Sequence, residues 1–354
     1  MSEPSFDDWQ KLESLAERLS QSGTSPGSID AAEWATIDTR LNEAIQSQDH
    51  ASVLRLRLMF GPLLARDSAT GSDVLRKLEA AAIRAADALQ ETKLLADFLG
   101  ASGHNLHRLG YHRESIEAFM RAQTLYNGLG LHFDALKSYY MQSLCLRALG
   151  KRTEAITIIE NVLDSQDAKG TWRGNPLQVR AWILQDNGDL AGAEASLREA
   201  LILHEQTPGG ELLMAGTLAD LGEVVGLQRR SHEAKQEFQR SLAILSQYSG
   251  QYERLEARTK LKLAQLLIQE GDLTHALILI DEADDAIRSY GRYYDLLWRI
   301  ELARSAVFFR QGRILNGLRK LRIVMAIRRD LRLPNSMLFR QLILRTWKRS
   351  GLPR

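Results

Sequence analysis

Six positions about forty residues apart frame this chain: Gly110, Gly150, Gly188, Arg229, Gly271 and Gly312. Seven residues before each, the side chain is small: Gly103, Ser143, Ala181, Gly222, Ala264 and Ser305. Five residues after each it is small again: Ser115, Ala155, Ala193, Ala234, Ala276 and Gly317. Nine after, a large apolar residue follows: Phe119, Ile159, Leu197, Phe238, Ile280 and Leu321. Two antiparallel helices joined by a short turn produce this pattern. They approach closely only where side chains are small, and a large residue then fills the gap to the next pair. Glycine suits the junction because a helix commonly ends in the left-handed region, which other residues pay to enter. Arg229 departs from that rule, so the fourth turn is expected to be looser or shifted by a residue.

The stretches LGYHRESIEAFMRA, LGKRTEAITIIENVL, NGDLAGAEASLREAL and EGDLTHALILIDEA resemble the tetratricopeptide repeat family, and the likeness extends from Ala31 to Arg329. The usual repeat is about 34 residues. The longer period here resembles the repeat region of bacterial signalling NTPases of the NB-ARC or STAND type, and that of peptide-sensing bacterial regulators. The resemblance implies an all-α fold, a right-handed α-solenoid or superhelix of about seven or eight helical pairs, with the first helix of each pair lining a concave face. Such a scaffold serves many jobs, so it fixes fold more firmly than function.

A solenoid grows by stacking, so 354 residues do not require two ordinary domains. The 44% apolar content supports a continuous core. A net charge of +2 gives no global nucleic-acid signature. The single cysteine, Cys145, excludes a disulfide framework, reads as a small core residue, and fits a reducing cytoplasm. The polar, acidic start MSEPSFDDWQ is unlike a signal peptide, and no run of about 18 apolar residues could span a membrane.

Taken in order, residues 1–28 read as an N-terminal helix, Phe6–Leu19, followed by the flexible linker SQSGTSPGS; the helix either caps the repeats or moves freely. Residues 29–90 read as degenerate repeats. Ile29–Gln48 and Ala51–Arg66 form a pair whose second helix should kink or end at Gly61-Pro62, and Asp73–Leu89 is one Ala-rich helix. Residues 91–330 hold the regular repeats. Within them QDAKGTWRGNP reads as a loop whose Trp172 either packs on the next helix or contacts a partner. Residues 331–354 read as a basic capping helix, with Met337, Leu338, Leu342, Ile343 and Trp347 on one side.

Counting back from each turn gives the inward positions of the first helices. They are Asp97, His104, His107 and Arg108; Tyr140, Met141, Leu144 and Arg147; Gln178, Trp182, Gln185 and Asp186; Asp220 and Glu223; Lys262, Gln265 and Gln269; and Arg299, Phe309 and Arg310. Amides and guanidinium groups can hold a peptide backbone or carboxylates while aromatics fill pockets, so this face is expected to bind a protein segment or peptide; packing between repeats is the competing reading for each residue. His104 and His107 lie one helical turn apart with His112 just beyond, a spacing that can ligate a metal; no cysteine and no nearby carboxylate completes the set, although Asp97 and Glu114 are in reach by sequence, and no nucleophile stands next to them for acid–base work. The sequence has no Walker loop, GxSxG or HExxH, and LGEVVGLQ around Gly222 and Gly226 reads as helix packing.

From Arg313 onward about a dozen Lys and Arg face one acid, Asp330. Arg340, Arg345, Lys348 and Arg349 form a basic tail with four readings: a solvated cap, a dock for an acidic protein, a nucleic-acid contact, or an anionic lipid contact. The sequence therefore points to a non-enzymatic, cytoplasmic interaction scaffold without a cofactor, acting as a regulatory, sensor or adaptor subunit. A peptide-sensing switch and a nucleic-acid-associated protein are the alternatives, and oligomeric state is not legible.

Overall fold

The repeat signature folds as helical hairpins in the structure, a computed structural model that describes residues 6–21, 29–66, 73–248, 252–290 and 294–330. The described residues contain sixteen α-helices, one 3-10 helix and no strand. The chain divides into two compact units, Met1–Met141 and Gln142–Arg354. The first unit holds α1 (Phe6–Gln21), α2 (Ala31–Gln46), α3 (His50–Arg66), α4 (Asp73–Ala88), α5 (Thr92–Arg108), α6 (His112–Gly128) and the start of α7 (His132–Ala148). The second holds the end of α7, α8 (Arg152–Asp164), the 3-10 helix Gly170–Arg173, α9 (Gly174–Asn187), α10 (Leu190–Glu205), α11 (Glu211–Leu227) and α12 (Ser231–Ser246). It continues with α13 (Glu253–Glu270), α14 (Leu273–Tyr290), α15 (Tyr294–Arg310) and α16 (Ile314–Asp330).

In the second unit α9 pairs with α10, α11 with α12, α13 with α14 and α15 with α16. Each hairpin packs on the next, and the first helices α11, α13 and α15 lie side by side, which is the arrangement of an α-solenoid. In the first unit α3 pairs with α4 and α5 with α6, α2 packs on both α3 and α4, and α1 packs on α3. There Leu12 of α1 is buried and Trp9 lies between the guanidinium groups of Arg40 and Arg55, 4.9 and 4.3 Å from its ring.

The spacing of small and large residues has a direct structural cause. A Cβ on Gly103 would lie 2.9 Å from the Phe119 ring, and one on Gly222 would lie 3.0 Å from the Phe238 ring. In these two hairpins, α5–α6 and α11–α12, the helices thus meet where the first carries no side chain and the second inserts an aromatic. Small polar residues secure the same contact. Ser115 Oγ donates to the Gly103 carbonyl at 2.7 Å, and Ser305 Oγ donates to the Gly317 carbonyl at 2.9 Å.

The turns follow one hydrogen-bond scheme. Gly110 N donates to the His107 carbonyl and Tyr111 N to the Leu106 carbonyl, at 3.1 and 2.9 Å, with Gly110 at φ +84°. Arg229 corrects the expectation of a looser or shifted turn. It takes φ +69° itself, with Arg229 N on the Gly226 carbonyl and Arg230 N on the Val225 carbonyl, at 3.0 and 3.2 Å. Hairpin packing on both sides imposes the glycine geometry on a side chain that pays for it. Gln48 and Gln90, at the α2–α3 and α4–α5 junctions, do the same with φ +56° and +55°.

At Gly61-Pro62 an end or a kink was expected; of the two, the end is corrected, since α3 runs on to Arg66. Proline removes one N–H, but the preceding turn is held from outside: Phe60 is fully buried, and Arg57, buried against Gly61, stacks on Phe98 at 4.9 Å. The stretch read as a loop before α9 contains the 3-10 helix, in which Trp172 is half-buried and Arg173 donates to the Leu163 carbonyl at the end of α8.

His204 on α10 is fully buried, with Nδ1 2.9 Å from Thr217 Oγ1. The Thr217 hydroxyl gives its only proton to the Leu213 carbonyl at 2.9 Å, so His204 donates from Nδ1 and turns a bare Nε2 toward Gly174, where any side chain would collide with the ring. Burial holds this imidazole below its ordinary pKa.

Candidate functional site

In the second unit, residues spaced by one repeat converge on a single carboxylate. Asp220 lies midway along α11, 2% exposed. Its Oδ2 accepts from Gln178 Nε2 at 2.6 Å and from Trp182 Nε1 at 2.9 Å, both on α9. Its Oδ1 pairs with Lys262 Nζ on α13 and lies 4.0 Å from Arg258 Nη2 on the same helix. Burial alone would raise the Asp220 pKa; the ammonium of Lys262 and the guanidinium of Arg258 outweigh it and hold the carboxyl below its usual range. Lys262 also reaches Glu223 Oε2 at 2.8 Å. Gln178, Asp220 and Lys262 are 42 residues apart in sequence, so equivalent turns of three successive first helices are tied through one anion.

On one side of this centre Arg147 donates from Nε to Asp186 Oδ2 at 2.7 Å and lies 5.4 Å above the Trp182 ring. Gln185 is half-buried on α9 beside this pair. On the other side Glu223, Lys262, Gln265 and Gln269 line a small cavity of about 20 Å³ with Gly222, Gly226 and Phe238, room for one water molecule. Gly226 packs against Leu266 and Ala234, so the LGEVVGLQ glycines serve helix contact. Arg310 of α15 donates from Nη2 to the Ile268 and Gln269 carbonyls at 2.8 and 3.1 Å, capping the end of α13. Arg299 is exposed and lies 5.2 Å above its neighbour Trp298; Leu144 and Phe309 are half-buried.

The first unit places its expected residues differently. Asp97 accepts from Tyr126 Oη at 2.7 Å and from Lys93 Nζ at 2.8 Å, and burial with this bond raises the Tyr126 pKa. His104 and His107 turn toward α6, His104 edge-on to Phe119 at 5.1 Å and His107 beside His112 at 5.0 Å. Burial also holds the His112 pKa below its ordinary value. Arg108 donates to Asn105 Oδ1 at 3.1 Å. Tyr140 and Met141 are half-buried at the end of this unit, and burial raises the Tyr140 pKa. Asp97, His104, His107 and Arg108 thus make contacts within the first unit. Arg340, Arg345, Lys348 and Arg349 lie outside the described residues.

Sequence reasoning missed Arg258. The inward register that selects Lys262 also selects the position one turn before it, four residues back, so the periodicity carried the signal. Among the described residues no helix is long and apolar enough to cross a membrane.

No curated protein sequence matches the chain at a significant level. Tetratricopeptide repeat family models match residues 136–168 and 179–209. The structure is similar to that of the Rap conjugation gene regulator of plasmid pLS20, solved with the Phr* peptide, with TM-score 0.58 and 13% identity over 100% of this chain and 89% of that one. It is similar to the apo form of RapI, with TM-score 0.57 and 13% identity over 85% of this chain and 99% of that one. It is also similar to NprR in complex with its cognate peptide NprX, with TM-score 0.53 and 16% identity over 81% and 88% of the two chains. At these identities the likeness is one of fold. The hairpin geometry, the shared turn scheme and the two matching segments together make this chain a tetratricopeptide-type repeat protein.

Proposed function

We propose that the chain is a non-enzymatic regulatory scaffold that binds a protein segment or peptide along the first helices of its second unit. The observation that carries this reading is the Asp220 centre. A buried carboxylate on α11 fixes the Trp182 indole and Gln178 amide of α9 and the Lys262 ammonium of α13, beside the half-buried amides of Gln265 and Gln269. Side chains locked in this way lose little entropy when a partner arrives, and an aromatic anchor among amides suits an extended backbone. The solved Rap regulator of pLS20 and NprR hold peptides on the same kind of fold, which supports the reading without assigning a ligand here.

The non-enzymatic part rests on how the charges are spent. Lys262 pairs with both Asp220 and Glu223, and Arg258 beside Asp220 supplies the second positive charge, an arrangement suited to holding helices rather than moving protons. A cytoplasmic location belongs to the same proposal and is supported by the single cysteine. So does the domain reading, with residues 29–90 as degenerate repeats, 91–330 as regular repeats and 331–354 as a basic cap.

The test is selection of a random peptide display library on the full chain. Enriched peptides should lose at least about tenfold in affinity on Trp182→Ala combined with Gln265→Ala, as expected when an interface anchor is truncated. No enrichment, or unchanged affinity in the double variant, sinks the proposal.

A further inference from the structure

The outer face of α16 is apolar at positions where the other second helices of its unit are not. Three residues after the turn, α8, α10, α12 and α14 carry Thr153, Ala191, His232 and Thr274, all exposed, whereas α16 carries Leu315, 74% exposed. Eleven residues after the turn they carry Asn161, Glu199, Arg240 and Glu282, and α16 carries the exposed Ile323. The register is shared, so hairpin packing does not require an apolar side chain at either place. The inward side of α16 meets the packing requirement instead: Gly317 lies against Phe309, and Val324 clusters with Trp298 and Leu302 of α15.

The same face is cationic. Ile314, Leu318, Arg322 and Met325 share with Leu315 an arc of about 100° around the helix, and Arg319 and Ile323 border it. Arg319 and Arg322 are exposed and make no hydrogen bond or ion pair among the described residues, whereas Lys320, on the inward side, pairs with Glu301 at 2.7 Å. The only acid in α16 is its last residue, Asp330. An exposed apolar patch of this kind marks a contact surface, and its charge selects what can cover it. A second α16, or the following segment of this chain with Arg340, Arg345, Lys348 and Arg349, would set like charges against it. The occupant must be anionic and must accept apolar side chains.

We propose that the outer face of α16 docks on an anionic lipid surface. Leu315, Leu318 and Met325 enter the boundary between headgroups and acyl chains, and Arg319 and Arg322 extend their stems along it to reach lipid phosphates. A bilayer accepts guanidinium groups interleaved with apolar side chains on a single ridge, because its phosphates rearrange to meet them. A partner helix would need an acid placed opposite each guanidinium. The basic segment beyond Asp330 adds cations next to this face in the chain, which strengthens attraction to an anionic leaflet. The face belongs to the second helix of its hairpin, so the proposal stands apart from peptide binding along the first helices.

The experiment floats the full chain with vesicles of phosphatidylglycerol and phosphatidylcholine in equal parts, or of phosphatidylcholine alone, at low and high salt, and reads the partition coefficient. Partitioning should be at least about tenfold stronger on the anionic vesicles and should weaken with salt. Leu315→Asn with Leu318→Asn should lower it about tenfold through lost apolar insertion, and Arg319→Gln with Arg322→Gln should lower it by roughly the same factor on anionic vesicles. All four positions are exposed, so melting curves should match the parent and separate these losses from misfolding. A third variant carries Arg340→Gln, Arg345→Gln, Lys348→Gln and Arg349→Gln. If it alone loses the vesicles while both α16 variants bind like the parent, the tail and not this helix meets the lipid, and the proposal falls. Absence of retention on anionic vesicles also overturns it. Two companion measurements then say what covers the face: self-association in sedimentation that Leu315→Asn with Leu318→Asn abolishes assigns it to a second copy, and salt-sensitive capture of an acidic amphipathic peptide assigns it to a protein partner.

Discussion

The Asp220–Lys262 pair gives the sharpest test of what holds the second unit together. Lys262→Met keeps most of the side-chain volume and removes the charge. Asp220, 2% exposed, is then left with Gln178 and Trp182 as donors and with Arg258 at 4.0 Å. Breaking a buried ion pair by removing one partner costs about 3–5 kcal/mol. The two surviving neutral donors place this case near the lower end, about 3 kcal/mol at neutral pH. In the native chain the folded Asp220 pKa lies below the unfolded value, so its contribution is present above about pH 4 and is lost as pH falls through the folded pKa. With Lys262 gone, burial dominates and the folded pKa rises above the unfolded one. The penalty should therefore shrink as acid protonates Asp220 and grow again toward neutrality. A double variant, Asp220→Leu with Lys262→Met, should recover most of the loss because neither charge remains buried. Urea unfolding followed by circular dichroism, with hydrogen exchange on α9, α11 and α13 to localise the change, measures each term. The reasoning fails if Lys262→Met stays within about 0.5 kcal/mol of the parent, the range of an ordinary surface substitution, or if its penalty deepens in acid.

Two further outcomes follow from the fold. Arg229→Gly should stabilise the chain by about 0.5–1 kcal/mol, since it relieves a left-handed side chain at a turn whose hydrogen bonds match those of the glycine copies; an unchanged urea midpoint would show that the strain is absent. His204 and His112 have folded pKa values held down by burial, so the unfolded chain binds protons that the folded chain does not, and stability should fall as pH drops below about 6.5. His204→Leu should make that fall shallower, and an unaltered slope of unfolding free energy against pH would refute the buried, neutral assignment.

The periodic placement of small, large and turn residues was enough to derive the hairpins, because each is set by contacts within about forty residues and by side-chain size alone. The same register selected Gln178, Trp182, Asp220, Glu223 and Lys262 as facing one way, which follows from helical geometry. Which of them meet is a tertiary matter. Gln178 and Lys262 reach Asp220 because the rotation between successive hairpins brings equivalent turns within hydrogen-bond range, and Arg258 stops at 4.0 Å for the same reason. Arg310, read from its register as a groove residue, caps the end of α13 because its own hairpin lies one repeat further along. Arg229, Gln48 and Gln90 hold left-handed backbone that their side chains disfavour locally, since packing of the flanking helices supplies more free energy than the turn costs. Sequence alone thus determined the kind of element and the register of each residue along it. Only the tertiary structure decided which charges meet one another, as at Asp220, where Lys262 pairs directly and Arg258 stands 4.0 Å away.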